Sequence, residues 1–353
     1  MERFADTHVH IDINEPAKVQ ELLDIISGLG VTDTTLLALC TNKTGGILQN
    51  LSVLWWKTRY DKMKIRAFGH FHETDIYAGI PYEEQLEYLL RLGCDGIKFL
   101  QAKPDKRKMI GKGLNHPDYD KALSIMEERG IPALIHSGDP ETFWDIDQIT
   151  PGQLQRGWFY GDGTYLSNEE HYNEIYEMLD KHPGLKVSLA HFFFLSNRLD
   201  EAKRVMEKYP NVSFGLTPGW EMFLGFSKNI DAWHDFFEQY SDRILFGTDS
   251  NNTKNENDMN QRIHQLVWLA LTHDKTEFLM PCYSKQNIKG LDLSQETIEN
   301  ICYHNFVNFA GAETVSVDLA LLQRSAEKIL ADIKDIPKHQ EDVVWLQNFL
   351  KCF

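Results

Sequence analysis

The chain has 353 residues, of which 25% are charged and 42% hydrophobic, and these proportions are typical of a globular protein. The formal net charge of −16 argues against a nucleic-acid partner, because phosphates require a basic surface. No apolar run approaches the roughly 18 residues that span a bilayer, and the N-terminal residues lack the apolar stretch of a signal peptide, so we expect a cytoplasmic protein without membrane contact.

Short β-type runs alternate with helix-length segments along most of the chain. The predicted strands are 4–10, 34–39, 65–70, 96–100, 133–136, 186–191, 212–216 and 244–248. Amphipathic helical patterns lie between them, for example at 83–92, 119–129 and 172–181. This alternation predicts an α/β fold in which eight parallel strands close into a (β/α)8 TIM barrel. An open doubly wound sheet is the alternative, but it usually shows a Gly-rich turn after its first strand, and this sequence has none there.

A long connection interrupts the pattern after the fifth predicted strand. Residues 137–170 are rich in glycine, proline and aromatic residues, including Trp144 and the stretch 157–160. A connection of this length inside a compact domain is usually functional, often as a lid over the active site. The alternative is a packed excursion with a small core of its own.

The chain changes character after about residue 311. Apolar residues then recur on one helical face: Leu319, Leu322, Ala326, Ile329 and Ile333. Pro337 interrupts this pattern, and a short final helix is expected beyond it. We therefore predict a catalytic barrel over residues 1–311 and a C-terminal helical extension over 312–353. The extension either packs on the barrel or joins subunits, and we expect a homo-oligomer.

The predicted strands contain or end in residues that can bind a metal ion. His8 and His10 lie on one face of the first strand, about 7 Å apart, because side chains alternate along a strand. Neutral imidazole binds zinc and similar divalent ions well. Later strands supply four more residues of suitable chemistry: Lys98, His136, His191 and Asp249. Barrel enzymes place their chemistry at the C-terminal ends of the strands, so these side chains are expected to meet at one rim.

Five segments around these residues resemble the amidohydrolase superfamily and, within it, its amidohydrolase-related branch. They follow the family order and read DTHVH at 6–10, GIKF at 96–99, IHSGDP at 135–140, LAHF at 189–192 and LFGTDS at 245–250. Residues 298–306 resemble the terminal helix of that branch, although Tyr303 and His304 replace its usual small residues. The resemblance implies a metal-dependent barrel enzyme with one or two divalent ions, zinc above all.

The resemblance also implies roles for single residues. The implied metal ligands are His8, His10, His136 and Asp249. His191 is implied as a ligand of a second ion or as a proton donor. In two-metal members that resemble this sequence at 96–99, the lysine is carboxylated and bridges two ions roughly 3.5–4 Å apart. Lys98 is then a bridging ligand, and its alternatives are a substrate-binding ammonium and an outward-facing structural lysine.

The chemistry of such a site follows from its residue types. A divalent ion lowers the pKa of bound water from 15.7 toward roughly 7, which makes a nucleophile available at neutral pH. Asp249 can accept the proton of that water and return it to a leaving group. Asp6 lies on the same strand face as His8 and is either a second-sphere acceptor for the site or a buried acceptor for backbone N–H groups.

Several further residues are weaker candidates. His70 and His72, followed by Glu73, repeat the His-x-His spacing, and we expect a hydrogen-bonded structural role for them. The basic segment 103–112 either attracts an anionic substrate group or is a solvated loop. The five cysteines are scattered without a CxxC pair, which suits free thiols, and Cys40 is expected to pack as a small apolar residue.

The sequence supports a metal-dependent hydrolase that acts on an ester, lactone or amide bond of a small, carboxylated molecule. A one-metal decarboxylase or hydratase of an unsaturated or aromatic acid is the alternative on the same barrel. Schiff-base chemistry at Lys98 and a non-catalytic metal-binding role are the remaining alternatives. Two ions with a modified Lys98 would favour the hydrolase, and one ion with a free Lys98 would favour the lyase.

Overall fold

The structure is a computed structural model that describes residues 3–11, 16–39, 46–252 and 257–353, without the side chains of Trp220 and Asn257. Cys40 lies outside the described residues. The strands of the main sheet are β1 Ala5–His10, β2 Asp33–Leu37, β3 Lys64–Gly69, β4 Gly96–Ala102, β5 Ala133–Ser137, β6 Val187–Leu189, β7 Val212–Leu216, β8 Ile244–Phe246 and β9 Ser250–Asn251. Their order in the sheet is β8-β7-β6-β5-β4-β3-β2-β1-β9, so each of the first eight neighbours the next in the chain.

The sheet closes on itself. Every pairing among these nine strands is parallel. β9 follows β8 in the chain and pairs with β1 through Val9 opposite Ser250, so the last strand segment returns to the first. The Thr7 hydroxyl also donates to the carbonyl oxygen of Phe246 over 2.7 Å, which ties β1 to β8 directly. The predicted (β/α)8 barrel is thus confirmed.

The helices occupy the segments between and after the strands. They are α1 Pro16–Gly28, α2 Gln49–Arg59, α3 Tyr82–Leu92, α4 Pro104–Ile110, α5 Pro117–Arg129, α6 Pro151–Gln155, α7 Asn168–Lys181, α8 Leu199–Lys208, α9 Trp220–Ser227, α10 Ile230–Gln239, α11 Asn257–Thr272, α12 Gln295–Glu299, α13 Asn305–Ala310, α14 Leu319–Ile333 and α15 Gln340–Phe349. The three helices predicted from amphipathic patterns correspond to α3, α5 and α7. Local signals set their ends: α3 stops at Gly93 with a φ of 109°, and α7 starts with a capping box between Ser167 and Glu170.

Four strands end earlier than the sequence predicts, among them β2 at Leu37 rather than at residue 39 and β3 at Gly69 rather than at residue 70. The ends of β6 and β8 have a cause in the backbone. β6 ends at Leu189 rather than at residue 191, because residues 191–194 adopt left-handed φ values of 53° to 55°. β8 ends at Phe246 rather than at residue 248, and Asp249 beyond it has a φ of 55°. Extended strands need strongly negative φ, so the chain turns away from the sheet after β6 and after β8. A small antiparallel hairpin, β10 Glu277–Leu279 with β11 Asn287–Lys289, was also not predicted.

The N-terminal end of the barrel is closed by α13. Phe306 and Phe309 belong to a buried apolar cluster with residues of the barrel strands, such as Phe68. The guanidinium of Arg66 lies beside this cluster, 4.5 Å from the Phe306 ring centroid, and its Nη1 atom is 3.1 Å from Asp33 Oδ1. The barrel is therefore filled at this end, and its open end is the one at which the predicted site residues lie.

The long connection contacts α7 through the rings of Trp144 and His171, and the C-terminal extension packs on α2 and α3. Residues 138–167 contain a 3-10 turn at Glu141–Trp144 and α6, and the rings of Phe143 and Trp158 stack 5.7 Å apart. α14 lies against α2 and α3, with the Tyr88 hydroxyl 2.6 Å from Ser325 Oγ. The division at residue 311 into barrel and appendage stays a prediction. Among the described residues, no helix is long and apolar enough to cross a membrane.

Candidate metal centre

The first strand presents His8 and His10 on one face, as predicted. Their Nε2 atoms lie 3.0 Å apart. The Oδ1 atom of Asp249 lies 3.5 Å from His8 Nε2 and 3.3 Å from His10 Nε2. Ligand atoms of these three residues all lie within 4.8 Å of one another, which is close enough to hold one metal ion. The predicted meeting of the first and last strands at one rim is therefore present in the structure.

Asp249 reaches His8 and His10 through a tight turn after β8. Its left-handed φ of 55° is uncommon for an aspartate and marks a backbone held by its surroundings. Gly247 allows the turn to approach β1 closely, because a Cβ atom at this position would lie 2.9 Å from Thr217 Cγ2 and 3.2 Å from His8 Cβ. The sequence Gly247-Thr248-Asp249 thus places a carboxylate where a regular strand would continue.

Asp6 connects β1 to this turn. Its buried carboxylate accepts the backbone N–H of His8 over 3.0 Å, the backbone N–H of Thr248 over 3.1 Å and the Thr248 hydroxyl over 2.6 Å. Burial raises the pKa of Asp6 to about 6. Of the two roles left open by the sequence, the acceptor of backbone N–H groups is observed. In that role Asp6 fixes the spacing between the strand that carries His8 and the turn that carries Asp249.

His136 and His191 form a second half of the site. The Nε2 atom of His191 lies 3.0 Å from the Nδ1 atom of His136. The ring of His191 also lies 5.7 Å from that of His8, measured between centroids. The structure thus brings all four predicted histidines to one region, with His136 farther from the His8–His10–Asp249 cluster than His191 is.

The outer hydrogen bonds of these histidines assign their tautomers. His10 Nδ1 lies 3.3 Å from the Leu37 carbonyl oxygen and His191 Nδ1 lies 2.9 Å from that of Thr217, so both Nδ1 atoms donate. His136 Nε2 lies 3.4 Å from a carboxylate oxygen of Asp139 and likewise donates. A neutral imidazole has one donor and one acceptor nitrogen. The nitrogens that face the site therefore carry lone pairs.

Lone pairs that face one another at about 3 Å need a cation between or beside them. Protons do not fill this role at neutral pH, because burial lowers the pKa of His136 to about 3 and lowers the pKa values of His8 and His191. Divalent ions of the zinc type take neutral imidazole nitrogens and carboxylate oxygens as ligands. The donor set at this rim therefore fits a divalent metal ion.

Lys98 lies inside the barrel beside this donor set. Its side chain is buried, and its Nζ atom lies 3.4 Å from His8 Nε2. Burial lowers the pKa of Lys98 to about 7, so a substantial fraction of the amine is neutral at physiological pH. The inward position argues against the outward structural lysine. Carboxylated bridging and substrate binding both stay predictions.

A left-handed turn follows His191. Residues 191–194 all have φ values between 53° and 55°, although none is glycine. Left-handed helical backbone costs roughly 1–2 kcal/mol per non-glycine residue, so packing must hold this turn. Phe192 and Phe193 are buried in the core, and the backbone N–H of His191 donates to the Thr217 hydroxyl over 2.6 Å. The turn leaves the Phe194 ring over His191 and His136, at centroid distances of 5.2 and 5.8 Å.

A sequence model of the family described as Amidohydrolase matches residues 63–305. This chain belongs to the amidohydrolase family. The matched region contains Lys98, His136, His191 and Asp249, whereas His8 and His10 precede it. Their place in the site rests on the contacts described above and on the resemblance of residues 6–10. Comparison with curated proteins gives no match.

Solved structures with the same fold share little sequence with this amidohydrolase. An uncharacterized TIM-barrel protein from Bordetella bronchiseptica is 12% identical with a TM-score of 0.53, covering 91% of this chain and 99% of its own. A probable 2-pyrone-4,6-dicarboxylic acid hydrolase from Acinetobacter baumannii is 13% identical with a TM-score of 0.52, covering 88% and 100%. A 2,6-dihydroxybenzoate decarboxylase is 16% identical with a TM-score of 0.50, covering 88% and 99%. At these identities the likeness supports the barrel and does not choose a reaction.

The second His-x-His pair, His70 and His72, is not part of the cluster of His8, His10 and Asp249. His70 contacts two backbone carbonyl oxygens, those of Phe71 at 2.8 Å and of Gly46 at 3.2 Å. Burial lowers its pKa to about 4. His72 pairs with Asp75 over 2.6 Å. These contacts agree with the structural role expected for the pair.

The basic segment 103–112 is neutralised within the fold. Its cations contact acceptors on neighbouring side chains, in the pairs Lys103–Asp139, Lys106–Asp105, Arg107–Glu174, Lys108–Thr164 and Lys112–Asp118. An ammonium or guanidinium that already contacts a carboxylate attracts a second anion much less strongly. These contacts argue against recruitment of an anionic substrate, and the expected solvated loop is in fact largely the helix α4.

Three residues at the open end were missed by sequence reasoning. Glu221 follows β7 at the start of α9, and burial raises its pKa to about 7. Tyr283 has a left-handed φ of 66°, and burial together with the charge of Asp249 raises its pKa. Asp139 lies within the segment IHSGDP at 135–140, but no pattern in the sequence indicates that its carboxylate contacts His136. The strand-end rule could have found Glu221, since β7 was the one late strand without a candidate.

Proposed function

We propose that this amidohydrolase is a metal-dependent hydrolase that uses an activated water on an ester, lactone or amide bond of a small molecule. The convergence of imidazole lone pairs and one carboxylate at the open end of the barrel carries this proposal. His8, His10 and Asp249 would hold a divalent ion, with zinc as the first choice. His136 and His191 would complete the site, and a carboxylated Lys98 would bridge to a second ion.

The residues of the chain supply the proton transfers. A bound divalent ion contributes Lewis acidity and lowers the pKa of a coordinated water toward roughly 7. Asp249 is placed to accept the proton of the attacking water and to return it to the leaving group. In a one-ion site His191 would instead be the second proton carrier, because its Nδ1 atom is held by the Thr217 carbonyl and its Nε2 atom faces the site. Phe194 covers both His136 and His191 and limits the access of bulk water from that side.

The carboxylated substrate expected from the sequence stays a prediction. Within residues 103–112 the structure pairs the cations with neighbouring side chains, so this segment does not supply the expected carboxylate-binding group. The residues of the proposed metal centre, by contrast, lie on β1, β4 and β5 and in the turns after β6 and β8. The proposal therefore specifies the class of reaction and does not specify the charge of the substrate.

Metal analysis of single variants tests the proposal. His10→Ala should lose most of the bound metal and all turnover of a panel of small esters, lactones and amides. His72→Ala is the matched control, because His72, like His10, is half-buried and ends a His-x-His pair. The control should keep its metal content. Equal metal content in the wild type and in His10→Ala would refute the assignment of the site.

A one-ion decarboxylase or hydratase is the second candidate. It is favoured by the fact that, in the part of the chain that is described, one cluster of three residues meets the distance expected for a shared ion. Metal stoichiometry and the mass of Lys98 separate the two candidates. Two ions per chain with a carboxylated lysine support the hydrolase, and one ion with an unmodified lysine supports the lyase.

A further inference from the structure

We propose that Asp139 is a positioning residue that fixes the tautomer of His136, and that Tyr160 from the long connection holds Asp139 in this role. The inference rests on the proposed metal centre, because its purpose is to point a nitrogen of His136 at the ion. Asp139 lies three residues after His136, beyond the turn at Gly138, whose φ is 71°. The carboxylate of Asp139 is buried, so its contacts are with the protein.

The two carboxylate oxygens of Asp139 have different partners. Oδ1 lies 3.4 Å from Nε2 of His136. Oδ2 accepts hydrogen bonds from the ammonium of Lys103 and, over 2.8 Å, from the hydroxyl of Tyr160. An ionised carboxylate only accepts hydrogen bonds, so Nε2 of His136 must carry the proton. The lone pair of His136 is then on Nδ1, the atom that lies 3.0 Å from Nε2 of His191.

Tyr160 is rigidly placed within the long connection. Its side chain is buried, and its backbone N–H donates to the carbonyl oxygen of Phe143 over 2.8 Å. The rings of Trp144 and Tyr165 lie 5.1 and 4.8 Å from the Tyr160 ring. Because a packed tyrosine has few alternative positions, its hydroxyl keeps Oδ2 of Asp139 occupied and Oδ1 turned toward His136. The long connection thereby acts on the metal centre itself, in addition to any effect on substrate access.

The substitution Asp139→Asn separates this role from simple charge pairing. In the variant, the amide oxygen would take the place of Oδ2, because Lys103 and Tyr160 both offer donors there. The amide NH2 group would then face Nε2 of His136 and force that nitrogen to accept. The proton of His136 would move to Nδ1, and the atom that faces the site would lose its lone pair. A role limited to neutralising Lys103 predicts no change of tautomer.

The test compares the full-length wild type with Asp139→Asn, Tyr160→Phe and the matched control Tyr165→Phe. The imidazole 15N shifts of His136 are measured in the metal-free proteins, and the Co2+ dissociation constant is measured by competition with a chelator. We expect the Nε2–H tautomer in the wild type and the Nδ1–H tautomer in Asp139→Asn. Loss of an outer-sphere partner of a ligand typically weakens metal binding 10–100-fold, so Asp139→Asn should reach this range. Tyr160→Phe should fall near its lower end, with Tyr165→Phe unchanged.

Specific outcomes overturn the inference. An Nδ1–H tautomer in the wild type would refute it even if Asp139→Asn failed to fold. An Asp139→Asn protein with wild-type tautomer and Co2+ affinity would refute it as well, as would equal affinities of Tyr160→Phe and the wild type. If the wild type bound no Co2+ while His136 showed the expected tautomers, the proposed function would fail and the positioning by Asp139 would stand.

Discussion

Removal of the Asp6 carboxylate should loosen the junction between the first and last strand segments of the barrel. In Asp6→Ala the backbone N–H groups of His8 and Thr248 lose their acceptor inside the protein. A buried donor without a partner costs about 1–3 kcal/mol, so the two groups together should lower the free energy of unfolding by about 2–6 kcal/mol. The Thr248 hydroxyl adds little to this cost, because it lies 2.8 Å from Ser250 Oγ and keeps a partner there.

Urea denaturation of the metal-free protein measures this change, and equilibrium dialysis measures metal affinity. Asp6→Asn is the control, because both backbone N–H groups donate to Oδ1 of Asp6, and the side-chain oxygen of asparagine can still accept both. It should lose less stability than Asp6→Ala. The dialysis should show weaker metal binding in Asp6→Ala, since His8 and Asp249 are on opposite sides of the junction that Asp6 holds. A free energy of unfolding within 0.5 kcal/mol of the wild type, with unchanged metal affinity, would refute this reasoning.

Three further predictions follow from the same structure. Asp249→Asn should lower kcat on the order of 100- to 10,000-fold, as expected on loss of a general base, and steady-state kinetics with any substrate of the wild type measures it. Adding Zn2+ to the metal-free protein at 100 times the dissociation constant should stabilise it by about 2.7 kcal/mol, measured by urea denaturation, and His10→Ala should show no such gain. Burial raises the pKa of Glu73 to about 7, so in the folded state its ionisation is penalised increasingly between about pH 4.5 and pH 7. Glu73→Gln should therefore match the wild type near pH 4 and exceed its stability by up to about 3 kcal/mol at pH 8, and equal unfolding curves at both pH values would contradict it.

The fold could be predicted because the strands of a barrel are buried on both faces. Parallel strands covered by helices read as continuous apolar runs, and eight such runs separated by helical patterns leave few alternatives. The hairpin β10–β11 was missed because its strands, unlike the equally short β6 and β8, are largely exposed and show no buried apolar run. The early end of β6 was missed because apolar residues continue past it. Phe192 and Phe193 look like strand residues in the sequence, yet they fill the core from a left-handed turn.

The sequence could predict which residues meet at the ends of the strands, but not how their side chains are arranged there. His8, His10 and Asp249 come together because chain order fixes which strands are neighbours in a closed barrel. The residues that orient these proposed ligands come from other parts of the chain. They lie at no fixed distance from the ligands in the sequence, so no motif reveals them. Tyr160 acts on His136 only through Asp139, and Thr217 acts on His191 from the end of the next strand.

The positions of the ligands and the strain of the backbone have a common origin. A ligand on a regular strand, such as His8, points along the strand normal, and its neighbours two residues away share that direction. Asp249 and His191 instead lie where the chain leaves the sheet with positive φ, and their side chains can therefore approach His8 from other directions. Three-dimensional coordination of one ion requires such different approach directions, since tetrahedral ligands cannot all lie along parallel strands. The left-handed residues after β6 and β8 would thus be the structural cost of the proposed metal centre in a parallel barrel.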